Sequence, residues 1–268
     1  MNRWLEIKAL SGRLFIQSKR RPIVLFAGLF QPFIWLFLFS TVFKNSPLAN
    51  LSGATSYLAF ITPGTLIFTA FTGALNGGVP LLFDREQGFL DRLLVAPLVS
   101  RNSIIIASGI HISAMTLIQC TVILVLTALM GVRFQGGLFG FAVLIAIILL
   151  ITFLFTTISL ILAFSLRYHF ELLSLIMIVS LPMVFLSSAF APMSYMPGWL
   201  QGLVCFNPIT LAVEPMRALF FNPDWQMSQP LLDGPLGHWS FSTCLFILVG
   251  FCALFLFLAR PVTNRKMQ

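Results

Sequence analysis

The chain has 268 residues, of which 58% are hydrophobic and only 9% are charged. Soluble domains carry about 25% charged residues, so this composition excludes a soluble protein and indicates an integral membrane protein. The formal net charge of +8 would suggest nucleic-acid binding in a soluble chain. Here the basic residues flank apolar runs, and we expect no nucleic-acid partner.

Residues 1–21 are predicted to form a cytoplasmic amphipathic helix. Trp4, Ile7, Leu10 and Leu14 follow at three- and four-residue spacing, with basic residues between them. A basic amphipathic helix of this kind lies in the membrane interface. The alternative is a positively charged flank that only orients the chain.

Residues 22–268 are predicted to form a domain with six transmembrane helices. A helix needs about 20 apolar residues to cross the hydrocarbon core. The six runs are Ile23–Phe43, Tyr57–Phe83, Ile104–Met130, Leu138–Ser165, Leu172–Phe190 and Ser240–Leu258. The first run is too long for a signal peptide, so we expect it to remain in the mature protein. The predicted fold class is an all-α integral membrane protein.

Lysine and arginine residues are distributed unequally between the two predicted sides of the membrane. Thirteen fall on the side of the termini and only three, Lys44, Arg133 and Arg217, on the other side. The side richer in these residues is usually cytoplasmic, which predicts that both termini lie in the cytoplasm.

The second predicted span contains the sequence GALNG, in which Gly73 and Gly77 are four residues apart and Asn76 lies between them. Small residues at this spacing allow helix backbones to approach, and an amide can form a hydrogen bond across the contact. We therefore predict close helix packing at these three residues.

The connector at residues 84–102 is rich in charge. Asp84 and Glu86 precede Phe89, Leu90, Leu93 and Leu94, whose spacing gives one apolar stripe on a short helix, and Pro97 would end it. The acidic residues are expected at the N-terminus of this helix. Such an element could lie on the membrane or be held by another protein.

The segment at residues 191–221 is apolar but interrupted by prolines, and its pieces are too short to span a membrane. A pair of re-entrant outer half-helices between spans 5 and 6 is the preferred interpretation, and a seventh span is the alternative. Glu214 and Arg217 share a helix face at a spacing of three and are expected to pair, either as a structural clamp or as a gate.

Several kinds of chemistry have no motif in this sequence. The chain lacks a phosphate-binding loop and the zinc-binding His-Glu-x-x-His pattern, so we expect neither an ATP site nor a metal site. The four cysteines form no Cys-x-x-Cys pair and are interpreted as buried thiols. The centres of the predicted spans contain no Asp, Glu, Lys or Arg, which argues against an ion-coupled carrier.

The connector sequence EQGFLDRLLVAP resembles the cytoplasmic signature of the ABC-2 family of ATP-binding-cassette permeases. The matching residues are Glu86, Gly88, Leu90, Asp91, Leu93, Leu94 and Pro97, with the bulky Phe89 between them. The segment at residues 191–221 resembles a second pattern of the same family. Its matching residues are Pro192, Pro197, Trp199, Leu200, Asn207, Pro208, Thr210, Glu214 and Arg217.

The resemblance implies that two six-span subunits, either two copies or two related chains, form a dimer in which each docks one cytoplasmic ATPase. The connector would be the coupling helix, and the partner ATPase would use ATP and Mg, with no cofactor in this chain. Export of a drug-like, lipid-linked, amphipathic or glycan substrate is implied. A bacterial inner membrane is expected, although an organelle of bacterial descent would give the same sequence.

Two other classes of function stay open. An ATP-independent channel or secondary carrier is the main alternative, although the uncharged span centres speak against a carrier. An intramembrane enzyme would need a polar cluster near one membrane face. The candidates are His169, Glu171 and Arg167, which are better interpreted as part of a cytoplasmic loop.

Overall fold

A computed structural model describes residues 3–43, 56–89, 102–234 and 237–266 of the chain. Helices dominate these ranges. They are α1 (Arg3–Arg20), α2 (Pro22–Val42), α3 (Tyr57–Leu75), α4 (Val79–Glu86), α5 (Asn102–Leu129), α6 (Gly137–Ser165), α7 (His169–Phe185), α8 (Gly198–Cys205), α9 (Pro208–Phe221) and α10 (Phe241–Lys266). The all-α membrane fold predicted from the sequence is confirmed.

Five helical segments are long and apolar enough to cross a membrane. They are Leu25–Val42, Tyr57–Glu86, Ser103–Leu129, Gly137–Ser165 and Phe241–Ala259. The predicted fifth span corresponds to α7, which has 17 residues and ends five residues before the predicted limit. A turn follows at Leu186, so the apolar run from there to Phe190 is not helical.

α8 and α9 together meet the same criteria for a span but are bent by 86° at their junction, so the segment is not one continuous seventh helix. The bend has a local cause. Asn207 is not helical, and its side-chain oxygen accepts a hydrogen bond of 2.9 Å from the backbone N–H of Ile209. Pro208 then occupies the first position of α9, where a missing N–H costs nothing.

α3 is the central helix of the bundle. In the most apolar stretch of the segment Tyr57–Glu86, which contains α3 and α4, 83% of the residues are buried. In the corresponding stretch of α2 only 11% are buried. It packs against α2, α5, α6 and α9. Its threonine hydroxyls donate to backbone oxygens four residues earlier, as in the 3.0 Å bond from Thr65 to Ile61, so they need no partner from another helix.

The predicted second span is interrupted by a short 3-10 turn at Asn76–Gly78. Ser159 of α6 binds the backbone groups that this turn leaves without a helical partner. Its hydroxyl accepts a hydrogen bond from the N–H of Gly78 at 2.9 Å and donates one to the carbonyl of Leu75 at 2.5 Å. A side chain at Gly78 would collide with the backbone of Ser159. The close approach of α6 therefore depends on this glycine.

Two short strands were missed by the sequence analysis. β1 (Pro230–Gly234) and β2 (Gly237–Ser240) pair antiparallel between α9 and α10. Leu232 and Trp239 are buried and pack with Cys205, Leu211 and Cys244. The strands are too short for their alternating pattern to be distinguished from a loop in the sequence.

Candidate functional site

The connector begins within a helix that continues from the second span. Asp84, Arg85 and Glu86 form the last turn of α4, and Gly88 follows with a φ of +67°. This corrects the prediction that the acidic residues start a new helix. The helix of the span extends beyond Phe83, and a glycine in a left-handed conformation ends it.

Arg13 of α1 reaches the connector. Its guanidinium binds the carboxylate of Asp84 at 3.0 Å and lies 3.8 Å from the ring centroid of Phe89. Both side chains of the ion pair are partly exposed, at 35% for Arg13 and 19% for Asp84. A single cation therefore holds α1 against both the end of α4 and the first residue after the turn.

Glu86 connects the end of α4 to the start of α7. Its carboxylate accepts a hydrogen bond of 2.5 Å from the backbone N–H of His169 and lies 2.6 Å from the imidazole Nδ1. The imidazole stacks against Phe83 at 4.1 Å. In addition, Arg85 donates to the carbonyl of Ala163 at 3.2 Å, near the end of α6.

These contacts define the connector junction, which consists of Arg13, Asp84, Glu86, Phe89 and His169. The junction links α1, α4 and the start of α7 at one end of the bundle. The remaining predicted coupling residues, Leu90, Asp91, Leu93, Leu94 and Pro97, lie outside the described residues.

Glu171 has a structural task next to the junction. One of its carboxylate oxygens accepts from the backbone N–H of Arg167 at 3.0 Å and of Tyr168 at 3.4 Å. A carboxylate in the first turn that binds preceding backbone N–H groups caps the helix. Within the described ranges, no three His, Cys, Asp or Glu side chains come together as metal ligands would.

At the other end of the bundle, Glu214 and Arg217 of α9 form an ion pair. The guanidinium also donates to the carbonyl of Ser188 at 2.8 Å and lies 4.1 Å from the ring centroid of Phe60 in α3. Arg217 is only 5% exposed. We name Phe60, Ser188, Glu214 and Arg217 the Arg217 cluster. The first three residues surround the buried guanidinium, whose charge would otherwise be costly.

Asn207 lies close to this cluster and serves two helices. Its amide nitrogen donates to the carbonyls of Met183 at 2.7 Å and Leu186 at 2.6 Å, while its oxygen caps α9. Those carbonyls belong to the end of α7, where no further helical partner is available. One side chain therefore joins the end of α7 to the start of α9.

The other predicted residues of the outer segment lie around this bend. Pro192 precedes a 3-10 turn at Met193–Tyr195, Pro197 precedes α8, and Pro208 begins α9. Trp199 lies on α8 and is 71% exposed, so the structure does not bring it to the Arg217 cluster.

The three residues of the GALNG motif have different surroundings. A side chain at Gly77 would collide with Ile112 of α5, and one at Gly73 would lie 3.3 Å from the amide oxygen of Gln119. Asn76 donates to the carbonyl of Thr72 at 2.8 Å, within its own chain segment rather than across to another helix.

Sequence reasoning missed several partners of the predicted site residues. Arg13 and Asp84 are 71 positions apart, and Glu86 and His169 are 83 apart. Tyr57, whose hydroxyl donates to the carbonyl of Phe190 at 2.9 Å, was considered only as the start of a span. Helical spacing does not indicate such long-range contacts.

Comparison with known proteins gives a consistent assignment. The profile of the family described as ABC-2 type transporter matches residues 5–221. A protein from Porphyra purpurea, named as the transport permease ycf38, is 44% identical over 91% of this chain and 84% of its own length. The protein of the same name from Cyanophora paradoxa is 42% identical over 92% of this chain and 84% of its own length.

A more distant relative carries a more specific name. The daunorubicin resistance ABC transporter permease protein DrrB1 of Streptomyces coeruleorubidus is 26% identical over 94% of this chain and 82% of its own length. The family match covers most of the chain, including the described part of the connector and the Arg217 cluster. The chain is a multi-pass membrane subunit of an ABC transporter, and it belongs to the ABC-2 type transporter family.

Proposed function

We propose that the chain is the permease subunit of an ATP-driven exporter for an amphipathic, lipid-linked, drug-like or glycan substrate. A separate ATPase subunit would use ATP and Mg. Two permease subunits, identical or related, would form the pathway in a bacterial inner membrane with both termini in the cytoplasm. The drug-resistance name of one relative supports a drug-like substrate class for that protein and suggests it for this one.

The connector junction is the observation that carries this proposal. A partner that pushed on the connector would move α1 through Arg13 and the start of α7 through His169. Arg85 would transmit the same displacement to the end of α6. A short segment bound to three helices is suited to convert the closure of an ATPase into a change of the membrane domain.

The distribution of charge supports the proposed substrate class. In the described part of the chain, α2, α3, α5 and α6 contain no Asp, Glu, Lys or Arg. Charged residues deep in a membrane are usually kept for the transport of ions or protons. An interior without them is better suited to a substrate that is partly apolar.

The test is to purify the protein with its ATPase in phosphatidylcholine nanodiscs and to measure ATPase binding and turnover. We expect Phe89→Ala and Asp91→Arg to weaken binding of the ATPase or its response to the permease. Asp224→Arg is the matched control, because Asp224 is exposed in the loop that follows α9.

Two results would contradict the proposal. Unchanged binding and turnover in the Phe89 and Asp91 variants would remove the coupling role of the connector. Substrate flux through the purified protein without any ATPase would instead establish the ATP-independent channel or carrier.

A further inference from the structure

A groove runs along α1 to the start of α2. Its volume is about 610 Å³, and it is open to one side. The residues that line it are Lys8, Ala9, Gly12, Arg13, Ile16, Gln17, Arg20 and Arg21. Most of them follow two rows at four-residue spacing, which places them on one face of the helix.

The charge of the groove is entirely positive. Its four charged residues are all basic, and in the part of the chain that the structure describes Arg13 alone among them has an acidic partner, Asp84. Within the described ranges, the side chains of Lys8, Arg20 and Arg21 take part in no ion pair or hydrogen bond. Three cations around one groove without an acidic partner among the described residues favour an anionic ligand.

The floor of the groove is small and apolar. A side chain at Gly12 would meet no other atom within 4 Å, which leaves space above the helix backbone. Ile16 is 56% exposed between the two cationic ends. On the first turns of α2, Ile23 and Phe26 are 72% and 66% exposed. Cationic groups therefore lie beside apolar surface at the point where the chain enters the membrane.

We propose that this groove binds the phosphate headgroup of an anionic phospholipid, whose acyl chains follow the exposed side chains at the start of α2. The guanidinium groups of Arg20 and Arg21 can each bind two oxygens of a phosphate, and the ammonium group of Lys8 adds a point charge. A soluble phosphate would use the cations but leave the adjoining apolar surface uncovered. The inference rests on the interfacial position that the sequence predicts for α1 and on the cytoplasmic N-terminus of the proposed function.

The experiment uses the full chain in neutral detergent, without ATPase, and measures binding of short-chain phosphatidylglycerol by native mass spectrometry. The test variant is Lys8→Gln with Arg20→Gln. The control variant is Arg3→Gln with Lys19→Gln, which removes the same charge from exposed positions of α1 outside the groove. We expect the test variant to bind roughly 30-fold more weakly and the control to change little, because each basic residue near an anionic lipid contributes a factor of about five.

Three results would overturn the inference. They are equal weakening in both variants, equal binding of phosphatidylglycerol and phosphatidylcholine by the unmodified chain, and displacement of the lipid by sodium phosphate. The last result would mean that the groove takes a soluble anion. Since no ATPase is present, a specific lipid site would remain established even if the exporter function failed its own test.

Discussion

Arg217 donates a hydrogen bond of 2.8 Å to the backbone carbonyl of Ser188, which ties α9 to the turn after α7. The same guanidinium binds Glu214 and covers the ring of Phe60, so three elements meet at one buried cation. Its Nε atom has no hydrogen-bond partner among the described residues. Loss of this side chain would therefore remove contacts to three elements at once.

We expect Arg217→Gln to lower the thermal unfolding midpoint of the protein in detergent markedly. Removing one partner of a buried ion pair costs about 3–5 kcal/mol, because the remaining charge is left uncompensated. The control is Arg133→Gln, because Arg133 is exposed. A double change of Glu214→Gln and Arg217→Gln should recover part of the loss. If Arg217→Gln and the control Arg133→Gln unfold at the same temperature, the cluster contributes no stability.

Gly64 provides a second test of packing at the same end. A side chain at this position in α3 would overlap the carbonyl of Ala189, which is backbone and cannot rotate away. Gly64→Ala should therefore destabilise the protein by about 1–3 kcal/mol. Gly109→Ala in α5 is the matched control, since its side chain would meet no atom within 4 Å.

The midpoint of unfolding distinguishes these two alanine variants. The Gly109 variant should be unchanged or more stable, by up to about 1 kcal/mol, because alanine favours a helix over glycine. A Gly64 variant that unfolds at the temperature of the original protein would mean that α3 and the turn at Ala189 are not in close contact.

The apolar runs predicted most of the fold because each helix in a membrane must satisfy its own backbone and cover it with apolar side chains. Local breaks were harder to predict. The turn at Asn76–Gly78 is stable because Ser159, about 80 residues later, binds the freed backbone groups. The prediction that Asp84 and Glu86 begin a new helix was wrong, because the helix of the second span continues past the apolar run and ends only before Gly88.

The candidate sites were predictable to the extent that they are local. The Glu214–Arg217 pair follows from a spacing of three on one helix, and its geometry agrees with that expectation. The partners at Ser188 and Phe60 come from other elements, which no helical period connects to α9. The same limit applies to His169, whose contact with Glu86 depends on how α4 meets α7.

The contact between Glu86 and His169 should control opening at the start of α7. Glu86→Ala removes the acceptor of the His169 N–H, so amide hydrogen exchange in residues 166–172 should become several times faster. Glu86→Gln retains one acceptor oxygen and should have a smaller effect. Asp224→Asn is the control for the loss of an exposed acidic group. Unchanged exchange in the alanine variant would contradict the described contact.

The ion pair of Arg13 and Asp84 should affect coupling more than stability. A partly exposed pair contributes about 0.2–1 kcal/mol, so Arg13→Asp or Asp84→Arg should leave the unfolding midpoint nearly unchanged. Either change places like charges together and should separate α1 from the connector. In phosphatidylcholine nanodiscs with the ATPase, we expect less transport per ATP hydrolysed, and partial recovery in the double variant that exchanges the two charges.

The matched control for this exchange is Lys19→Asp, which makes the same charge reversal on an exposed position of α1. Neutral lipid keeps the basic groove from contributing to the difference. If Lys19→Asp lowers coupling as much as Arg13→Asp, the effect comes from the charge of α1 as a whole. If each single change lowers the transport per ATP hydrolysed and the double variant recovers it, the contact between α1 and the connector carries the coupling. Only that contact is restored by exchanging the charges.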